Sequence, residues 1–184
     1  LTGSYIGDDE LAMIKQLMNG HQPVFYDIGA NVGYFSITVA KLFPGAIIHA
    51  FEPMPEHVKT FNVHLTMNGV NNVQLHPIAV ADHTGELVFS NMQGSEGNTY
   101  KQDSGLFKNA SASFKVRGTS VDDFVNSGNP APKFMKIDVE GAELDALKGA
   151  IQTIRKYRPA ILLATHECHV PGIKDDCVKF LQSE

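Results

Sequence analysis

Five short apolar segments alternate with helix-like segments along this chain, and this alternation constrains the fold more than any other feature. The apolar segments are residues 24–28, 46–51, 73–80, 133–139 and 160–165. Between them, apolar residues recur three or four positions apart, which is typical of amphipathic helices and predicts, among others, helices over 32–43 and 142–157. Strands that alternate with helices form a parallel sheet with helices on both faces. The sequence therefore predicts a doubly wound α/β fold, with a single domain over residues 1–184.

The pattern changes between the third and the fourth predicted strand. Residues 86–90 and 113–117 alternate apolar with polar side chains, which predicts two antiparallel strands. Between them lie the polar and glycine-rich residues 91–112, and a loop of this length in a compact domain is usually functional or disordered. We therefore expect a β-hairpin insertion whose loop forms part of the wall of a ligand site or a lid over it.

Composition argues against two classes of partner. The net charge is −5, from 15 basic and 20 acidic residues, and no basic run provides the electrostatic footprint of a nucleic-acid-binding protein. No apolar stretch approaches the ~18 residues of a membrane-spanning helix. Cys168 and Cys177 are too few for a disulfide scaffold, so we expect free thiols in a reducing cytoplasm. None of these features predicts the oligomeric state.

The first predicted strand leads into a glycine-containing turn, in the segment VFYDIGANVGYFS. Gly29 and Gly33 give the pattern D-x-G-x-x-x-G, whereas dinucleotide-binding proteins have G-x-G-x-x-G, and Asn31 occupies the position of the second glycine of that motif. Glycine lets the backbone approach a ligand closely and opens the following helix N-terminus towards it. Asp27 adds a negative charge, which suits a ligand with the ammonium group of an amino-acid moiety.

Glu52 and Pro53 follow the second predicted strand. An acid at this place, roughly twenty residues beyond the first glycine of the turn, can accept hydrogen bonds from both hydroxyls of a ribose. Such an acid does not distinguish NAD from S-adenosylmethionine, because both carry that ribose. The turn and Asp27 favour S-adenosylmethionine.

Three segments resemble, in order, the signature blocks of the FkbM-type S-adenosylmethionine-dependent methyltransferases. They are DIGANVGYFS (27–36), AFEPMPE (50–56) and KIDVEGAELDALKGA (136–150). The first is similar to the glycine-rich motif of class I methyltransferases in general, and the third is more specific to the family. TSVDDFV (119–125) is similar to the stretch that precedes the family's fourth strand. The resemblance implies a Rossmann-like fold that transfers a methyl group from S-adenosylmethionine, usually to a hydroxyl oxygen, and releases S-adenosylhomocysteine.

The resemblance also assigns a set of cofactor-binding residues, which lie at or just beyond the ends of predicted strands. They are Asp27, Gly29, Asn31, Gly33, Glu52, Pro53, Ala79, Asp138 and Glu140. The first four would hold the methionine part of the cofactor, Glu52 would hold the ribose hydroxyls, and Ala79 would border the adenine. Asp138 and Glu140 would lie beside the sulfonium and the acceptor.

Titratable side chains converge beyond the fourth and fifth predicted strands. A hydroxyl acceptor loses a proton on methylation, so a nearby base assists the reaction. The candidate catalytic residues are therefore Asp138, His166 and Glu167, where His166 or Glu167 acts with Asp138 to deprotonate or orient the acceptor. A divalent metal is the less favoured alternative: Asp138 and Glu167 would offer oxygen ligands to Mg²⁺, and the two histidines of HECH (166–169) lack further spaced ligands for zinc.

Two other functions are compatible with a sheet of this kind. Asn31 and Tyr34 in the turn argue against an NAD-type oxidoreductase, and the intact acids Asp27 and Glu52 argue against a non-catalytic Rossmann-like binding module. We therefore expect a small-molecule hydroxyl acceptor, on a sugar or a natural product, and neither nucleic acid nor membrane as a partner. The acceptor itself is not predicted, because acceptor loops vary on a shared fold.

Class I methyltransferases end with an antiparallel hairpin that follows their last helix. This chain ends at Glu184, just after the helix predicted over residues 173–181. We accordingly expect a domain that lacks this hairpin at its C-terminus, together with any substrate-binding residue that the hairpin carries.

Overall fold

Helices alternate with strands along the computed structural model of the protein, which describes residues 8–18, 22–91 and 112–184. The helices are α1 (Asp8–Leu17), α2 (Tyr34–Leu42), α3 (Pro55–Asn68), α4 (Val121–Asn126), α5 (Glu143–Lys148), α6 (Ile151–Tyr157) and α7 (Ile173–Gln182). The strands are β1 (Val24–Ile28), β2 (Ile47–Phe51), β3 (Val73–His76), β4 (Ala79–Val80), β5 (Gly85–Asn91), β6 (Ala112–Thr119), β7 (Phe134–Ile137) and β8 (Ala160–Leu163). Within the described ranges, none of the helices is both long enough and apolar enough to cross a membrane.

Strand β1 lies at the centre of a five-stranded parallel sheet with the order β3-β2-β1-β7-β8. It pairs with β2 on one side and with β7 on the other. The chain moves outward from β1 to β3 and later returns to the opposite side of β1, so the strand order switches between β1 and β7. Ligands of such sheets bind outside the carboxyl ends of the strands at this switch. The predicted doubly wound α/β fold is confirmed.

Both faces of the sheet are covered by helices, and this explains why β1 is almost entirely apolar. Phe25 packs with Ile14 of α1 and with residues of α2 on one face. Tyr26 and Ile28 pack on the other face with residues of α4, α5 and α7. Successive side chains of a strand alternate between faces, so Asp27 shares the face of Phe25. Asp27 is thus a fully buried acid in an apolar strand.

A second, smaller sheet has the strand order β4-β6-β5. Strands β5 and β6 are antiparallel from Gly85↔Gly118 to Asn91↔Ala112, which confirms the predicted hairpin insertion. The prediction of one strand over 73–80 is wrong, because β4 leaves the large sheet and pairs in parallel with β6. Pro77 has no N–H to donate to a ladder, and a 2.8 Å hydrogen bond from Ile78 N to the His76 carbonyl turns the chain.

The prediction of a single helix over 142–157 is also wrong, because the structure has two helices there, α5 and α6. The carboxylate of Asp122 in α4 accepts hydrogen bonds from the backbone N–H groups of Gln152 and Thr153, at 2.9 and 2.7 Å. These are free donors of a helix N-terminus, so Asp122 stabilises a new helix start. Gly149 lies between the two helices, and a Cβ there would lie 2.0 Å from the carbonyl oxygen of Ala81. The junction of α5 and α6 therefore packs closely against the chain after β4.

Candidate functional site

A cleft lies at the carboxyl ends of β1, β2 and β7, with residues of the small sheet along its other side. It holds about 650 Å³ of space between atoms, open solvent included. It is lined by Gly29, Asn31, Phe51, Glu52, Pro53, Met54, His57, Ala79, Val80, Phe89, Asp138, Val139, Glu140 and Ala142.

Most of the predicted cofactor-binding residues line this cleft. The structure places there Gly29, Asn31, Glu52, Pro53, Ala79, Asp138 and Glu140. Asp27 and Gly33 are not among the lining residues, and both are held against neighbouring elements instead.

Glu52 is a fixed carboxylate in this cleft, with only 5 % of its surface exposed. Its Oε2 accepts a hydrogen bond from the Asn31 backbone N–H at 2.9 Å. Its Oε1 accepts one from the Met54 N–H at 2.9 Å and lies 3.2 Å from His57 Nδ1. A carboxylate offers about four acceptor positions, so acceptor capacity is left for a ligand. The geometry therefore fits a carboxylate that receives ribose hydroxyls.

The turn after β1 packs directly on the turn after β7. Gly29 has a φ of +80°, and a Cβ there would lie 1.9 Å from the carbonyl oxygen of Asp138. Only glycine fits this position. Asn31 also has a positive φ, of 50°, and its Oδ1 accepts a hydrogen bond from the Val32 N–H at 2.7 Å. Asparagine tolerates this conformation better than most residues. The first and third sequence blocks thus meet along one side of the cleft.

Gly33 permits the close packing of α2 against α3. It has a φ of +88°, and a Cβ there would lie 2.0 Å from the ring of Phe61. The left-handed backbone at Gly33 also explains why α2 begins at Tyr34, later than the predicted start at residue 32. A direct contact between Gly33 and the cofactor stays a prediction.

Asp27 is buried below the turn and is bound by groups of the chain itself. Its Oδ2 accepts a hydrogen bond from Ser36 Oγ at 2.6 Å, and its Oδ1 lies 3.4 Å from Lys136 Nζ. Lys136 Nζ also lies 3.1 Å from Asp138 Oδ2 and donates to the Gly29 carbonyl at 3.3 Å. Burial acts to lower the pKa of Lys136, but Asp27 and Asp138 outweigh it and leave that pKa raised. The Lys136 ammonium therefore supplies the positive charge beside Asp27 that the sequence analysis expected from the ammonium group of a ligand. A contact of Asp27 with the cofactor stays a prediction.

Asp138 and Glu140 are the carboxylates that reach the cleft from the turn after β7. This turn is tight, because Glu140 and Gly141 have φ values of +52° and +94°. Glu143 in the first turn of α5 accepts a hydrogen bond from the Gly141 N–H at 3.0 Å and so braces it. Burial raises the pKa of Glu140, with two nearby histidines opposing that rise.

His166, in the loop after β8, joins these carboxylates in one cluster. Its Nε2 lies 3.4 Å from Asp138 Oδ1 and 3.6 Å from Glu140 Oε2. Its Nδ1 lies 2.6 Å from Glu143 Oε1. Its ring stacks on that of His169, whose Nε2 lies 2.9 Å from Glu140 Oε2. The hydrogen bond to Glu143 raises the pKa of His166, burial opposes it, and the neighbouring carboxylates add to the rise.

Glu167 lies outside this cluster, although it was predicted beside His166. Its Oε2 accepts a hydrogen bond from the Gly172 N–H at 2.9 Å, and its Oε1 accepts one from the Lys174 N–H at 2.8 Å. These two bonds lower the pKa of Glu167. Glu167 thus braces the loop that connects His166 to α7.

The metal alternative gains no ligand set from the described part of the chain. Across residues 8–18, 22–91 and 112–184, no three His, Cys, Asp or Glu side chains are grouped as a metal ion would require. Asp138 and Glu167, the pair considered for Mg²⁺, are not brought together: Asp138 contacts Lys136 and His166, and both oxygens of Glu167 bind backbone N–H groups.

Two contacts of the site were missed from the sequence. Lys136 precedes Asp138 by two positions, and this spacing, which puts both side chains on one face of a strand, was the available signal. Glu143 is sufficiently explained as an acid in the first turn of a helix, and nothing local indicates its contact with His166. The predicted loop over 91–112 lies, apart from its two end residues, outside the described residues.

The residues present fit S-adenosylmethionine. Glu52 offers a carboxylate for the ribose, and Val80 and Phe89 add apolar surface to the same cleft. Asp138 and Glu140 add negative charge to the cleft, which suits a ligand with a cationic sulfonium. The close approach at Gly29 leaves the backbone uncovered by any side chain of its own.

Comparisons with known proteins identify the family of this chain. A family model described as "Methyltransferase FkbM domain" matches residues 27–182. The hexuronic acid methyltransferase AglP of Haloferax volcanii is 28% identical over 162 residues, which cover 86% of this chain and 61% of that protein. The 2-O-methyltransferase NoeI of Sinorhizobium fredii is 27% identical over 159 residues, which cover 79% of this chain and 64% of that protein. The chain spans between 56% and 64% of the length of the curated relatives it matches.

Solved structures share the fold. The precorrin-6y C5,15-methyltransferase of Geobacter metallireducens matches with a TM-score of 0.57 and 15% identity, over 100% of this chain and 75% of that chain. At this identity the similarity shows the fold alone. It agrees with the predicted Rossmann-like arrangement of the five-stranded sheet.

Proposed function

Because the chain belongs to the FkbM methyltransferase family, its methyl donor is S-adenosylmethionine, and we propose that it methylates a hydroxyl oxygen of a sugar or a small natural product. When bound, the donor supplies a methyl group on a positively charged sulfur, which passes to the acceptor and leaves S-adenosylhomocysteine. The observation that carries the proposal is the cluster at the cleft, where Asp138 Oδ1 lies 3.4 Å from His166 Nε2.

The residues that line the cleft divide into a ribose part and a methyl-transfer part. We assign the ribose hydroxyls to Glu52, with Gly29 and Asn31 beside it along the turn and Ala79 at the adenine. Pro53 follows Glu52 in the lining and shapes the same wall. We assign the surroundings of the sulfonium to Asp138 and Glu140.

The acceptor hydroxyl loses its proton in the reaction, and His166 is the base that we assign to it. Asp138 lines the cleft and is placed to orient the hydroxyl, while His166 Nε2 adjoins it to take up the proton. The pKa of His166 is raised, first by its hydrogen bond to Glu143, so the neutral form that can accept a proton dominates only above that raised pKa. We therefore expect the rate to increase with pH through the titration of His166. Glu167 acts through the loop that carries His166.

The names of two relatives support the acceptor class. One is a methyltransferase of a hexuronic acid and the other a 2-O-methyltransferase. A hydroxyl on a sugar or sugar acid is therefore the first acceptor to test. The exclusion of nucleic acid rests on the acidic balance and stays a prediction, as does the cytoplasmic location, which the free thiols Cys168 and Cys177 support.

The test is methyl transfer from isotope-labelled S-adenosylmethionine to a panel of uronic acids, neutral sugars and hydroxylated natural products, with mass spectrometry of the products. We expect O-methyl products. His166→Gln should lower turnover by about 10²- to 10⁴-fold, the usual contribution of a general base, without weakening donor binding. Asp138→Asn should lower turnover as well. His83→Gln is the matched control, because His83 is exposed and pairs with Asp82 at the surface. Methyl groups on nitrogen or carbon, or full turnover in both variants, would contradict the proposal.

A further inference from the structure

We propose that Glu143 is a positioning residue, whose buried carboxylate holds His166 by Nδ1 and thereby directs Nε2 towards Asp138 and Glu140. The inference rests on the proposed role of His166 in methyl transfer. It goes further because Glu143 lines no part of the cleft and is sufficiently explained, from the sequence, as an acid in the first turn of α5.

The 2.6 Å contact with Glu143 favours Nδ1 as the ring nitrogen that carries the proton of neutral His166. Glu143 is 0% exposed, and its Oε1 lies 2.6 Å from His166 Nδ1. An ionised carboxylate can only accept hydrogen bonds, so Nδ1 must be the donor. In the neutral ring, Nε2 is then the nitrogen with a free lone pair. That nitrogen is the one 3.4 Å from Asp138 and 3.6 Å from Glu140 at the cleft.

The burial of the Glu143 carboxylate also favours its contact with His166. Within the described residues, Glu143 Oε2 has no hydrogen-bond partner and is buried. A buried carboxylate is costly unless a cation compensates it, and His166 is the titratable base in contact with this one.

Titratable groups of neighbouring elements face the pair of Glu143 and His166. Asp138 and Glu140 face His166 from the turn after β7, and His169 stacks on its ring at 5.7 Å. Cys177 of α7 lies near Glu143, and burial, with Glu143 second, raises the pKa of this thiol to about 11. Cys177 is therefore neutral at physiological pH and adds no charge beside His166.

A purely structural role for Glu143 is the alternative, because its Oε1 also accepts the Gly141 N–H at 3.0 Å. Glu143→Gln separates the two roles. The amide oxygen of glutamine can still accept both hydrogen bonds, so the turn remains braced while the negative charge is lost. Asp175→Asn is the matched control, since it removes one negative charge from an exposed position of α7.

The experiment is a pH titration of the full chain, labelled with ¹⁵N-histidine, by NMR of the ring nitrogens. In the wild-type protein we expect neutral His166 to be the Nδ1–H tautomer. In Glu143→Gln we expect its titration midpoint to fall by about one pH unit, as for the loss of an adjacent charge. Asp175→Asn should titrate like the wild type, and S-adenosylhomocysteine, measured by calorimetry, should bind all three proteins equally.

Two results would overturn the inference. One is a neutral wild-type His166 that carries its proton on Nε2, which needs no variant to observe. The other is a Glu143→Gln protein that is folded and binds S-adenosylhomocysteine but titrates at His166 like the wild type. Failure of the proposed function looks different: His166→Gln would then keep its turnover, whatever the tautomer is.

Discussion

At the residue scale, the site depends on carboxylates that the chain itself holds in place before any ligand binds. Glu52 accepts backbone N–H bonds from Asn31 and Met54, and Asp27 is bound by Ser36 and Lys136. Fixed carboxylates lose little conformational freedom when a ligand arrives, and such preorganisation favours tight binding.

The first prediction concerns Glu52. Its replacement by glutamine should weaken the binding of S-adenosylhomocysteine by about 10- to 100-fold, the value of a hydrogen bond to a charged group. Glutamine keeps the shape but turns one acceptor oxygen into a donor, which then faces the Asn31 or the Met54 N–H. Isothermal calorimetry measures the change, and Glu56→Gln, an exposed acid of α3, is the control. Equal affinity of both variants would show that Glu52 does not bind the ribose.

The individual site residues were predictable where they follow a strand directly. Asp138 and Glu52 are examples, because the carboxyl ends of parallel strands meet at one edge. The contact of Glu143 with His166 was not predictable, since it joins α5 to the loop after β8. The bonds that turn Glu167 away from the cluster likewise depend on where the backbone of α7 begins.

At the scale of elements, helix packing depends on one glycine. We predict that Gly33→Ala lowers the free energy of unfolding by about 2–4 kcal/mol, from a left-handed backbone and from overlap with Phe61 together. Urea denaturation measures the loss. Gly69→Ala is the control for the backbone effect alone, because Gly69 has a φ of +62° with no atom near its absent Cβ. Equal losses in the two variants would mean that α2 can move away from Phe61.

Two adjacent strands share a buried histidine pair. His49 of β2 is 1% exposed, and its Nδ1 lies 2.9 Å from Nε2 of His76 in β3. Burial, and secondly His76, lower the pKa of His49 from 6.5 to about 4, and burial lowers the pKa of His76 as well. Below pH 6.5 the unfolded chain therefore binds protons that the folded chain rejects.

From this pair we predict a loss of stability in acid. Its contribution is complete above pH 6.5 and disappears as the pH falls towards about 4, with about 3 kcal/mol from His49. Urea denaturation across this interval should show the decline. His49→Phe, which suits the neighbouring rings of Tyr26 and Phe124, should make the decline shallower. A decline of unchanged steepness would assign the acid sensitivity to other groups.

The elements themselves were largely predictable, and their interruptions were less so. The apolar run of β1 is bounded as the sequence predicts, because both faces of the strand are buried. The chain leaves the large sheet at Pro77, and a proline inside an apolar run was the signal for it. The break before α6 depends on Asp122, a distant acid that binds the new helix start, and no local pattern shows it.

At the scale of the whole molecule, ligand binding and stability are linked. We predict that S-adenosylhomocysteine at a hundred times its dissociation constant stabilises the fold by about 2.7 kcal/mol. For a domain of this size the melting temperature should then rise by about 5–10 °C. NAD at the same concentration is the control and should leave it unchanged. A comparable rise with NAD would restore the dinucleotide alternative.

The fold class was predictable for the whole molecule because the alternation of strands and helices covers most of the chain. The acceptor was not, since what surrounds a shared donor site varies between relatives. The single domain over 1–184 stays a prediction, and the five-stranded sheet with its helices on both faces is consistent with it.

The central pairing of β1 with β7 also has a kinetic consequence. Gly29 and Lys136, which meet at 3.3 Å, are separated by 107 positions in the chain. Parallel strands so distant in sequence pair slowly, because the chain loses the entropy of closing the long intervening loop before the contacts stabilise it. During synthesis, the ribosome must release β7 before the two turns can face each other. Acquisition of S-adenosylhomocysteine binding would therefore serve as a clock for the pairing of β1 with β7.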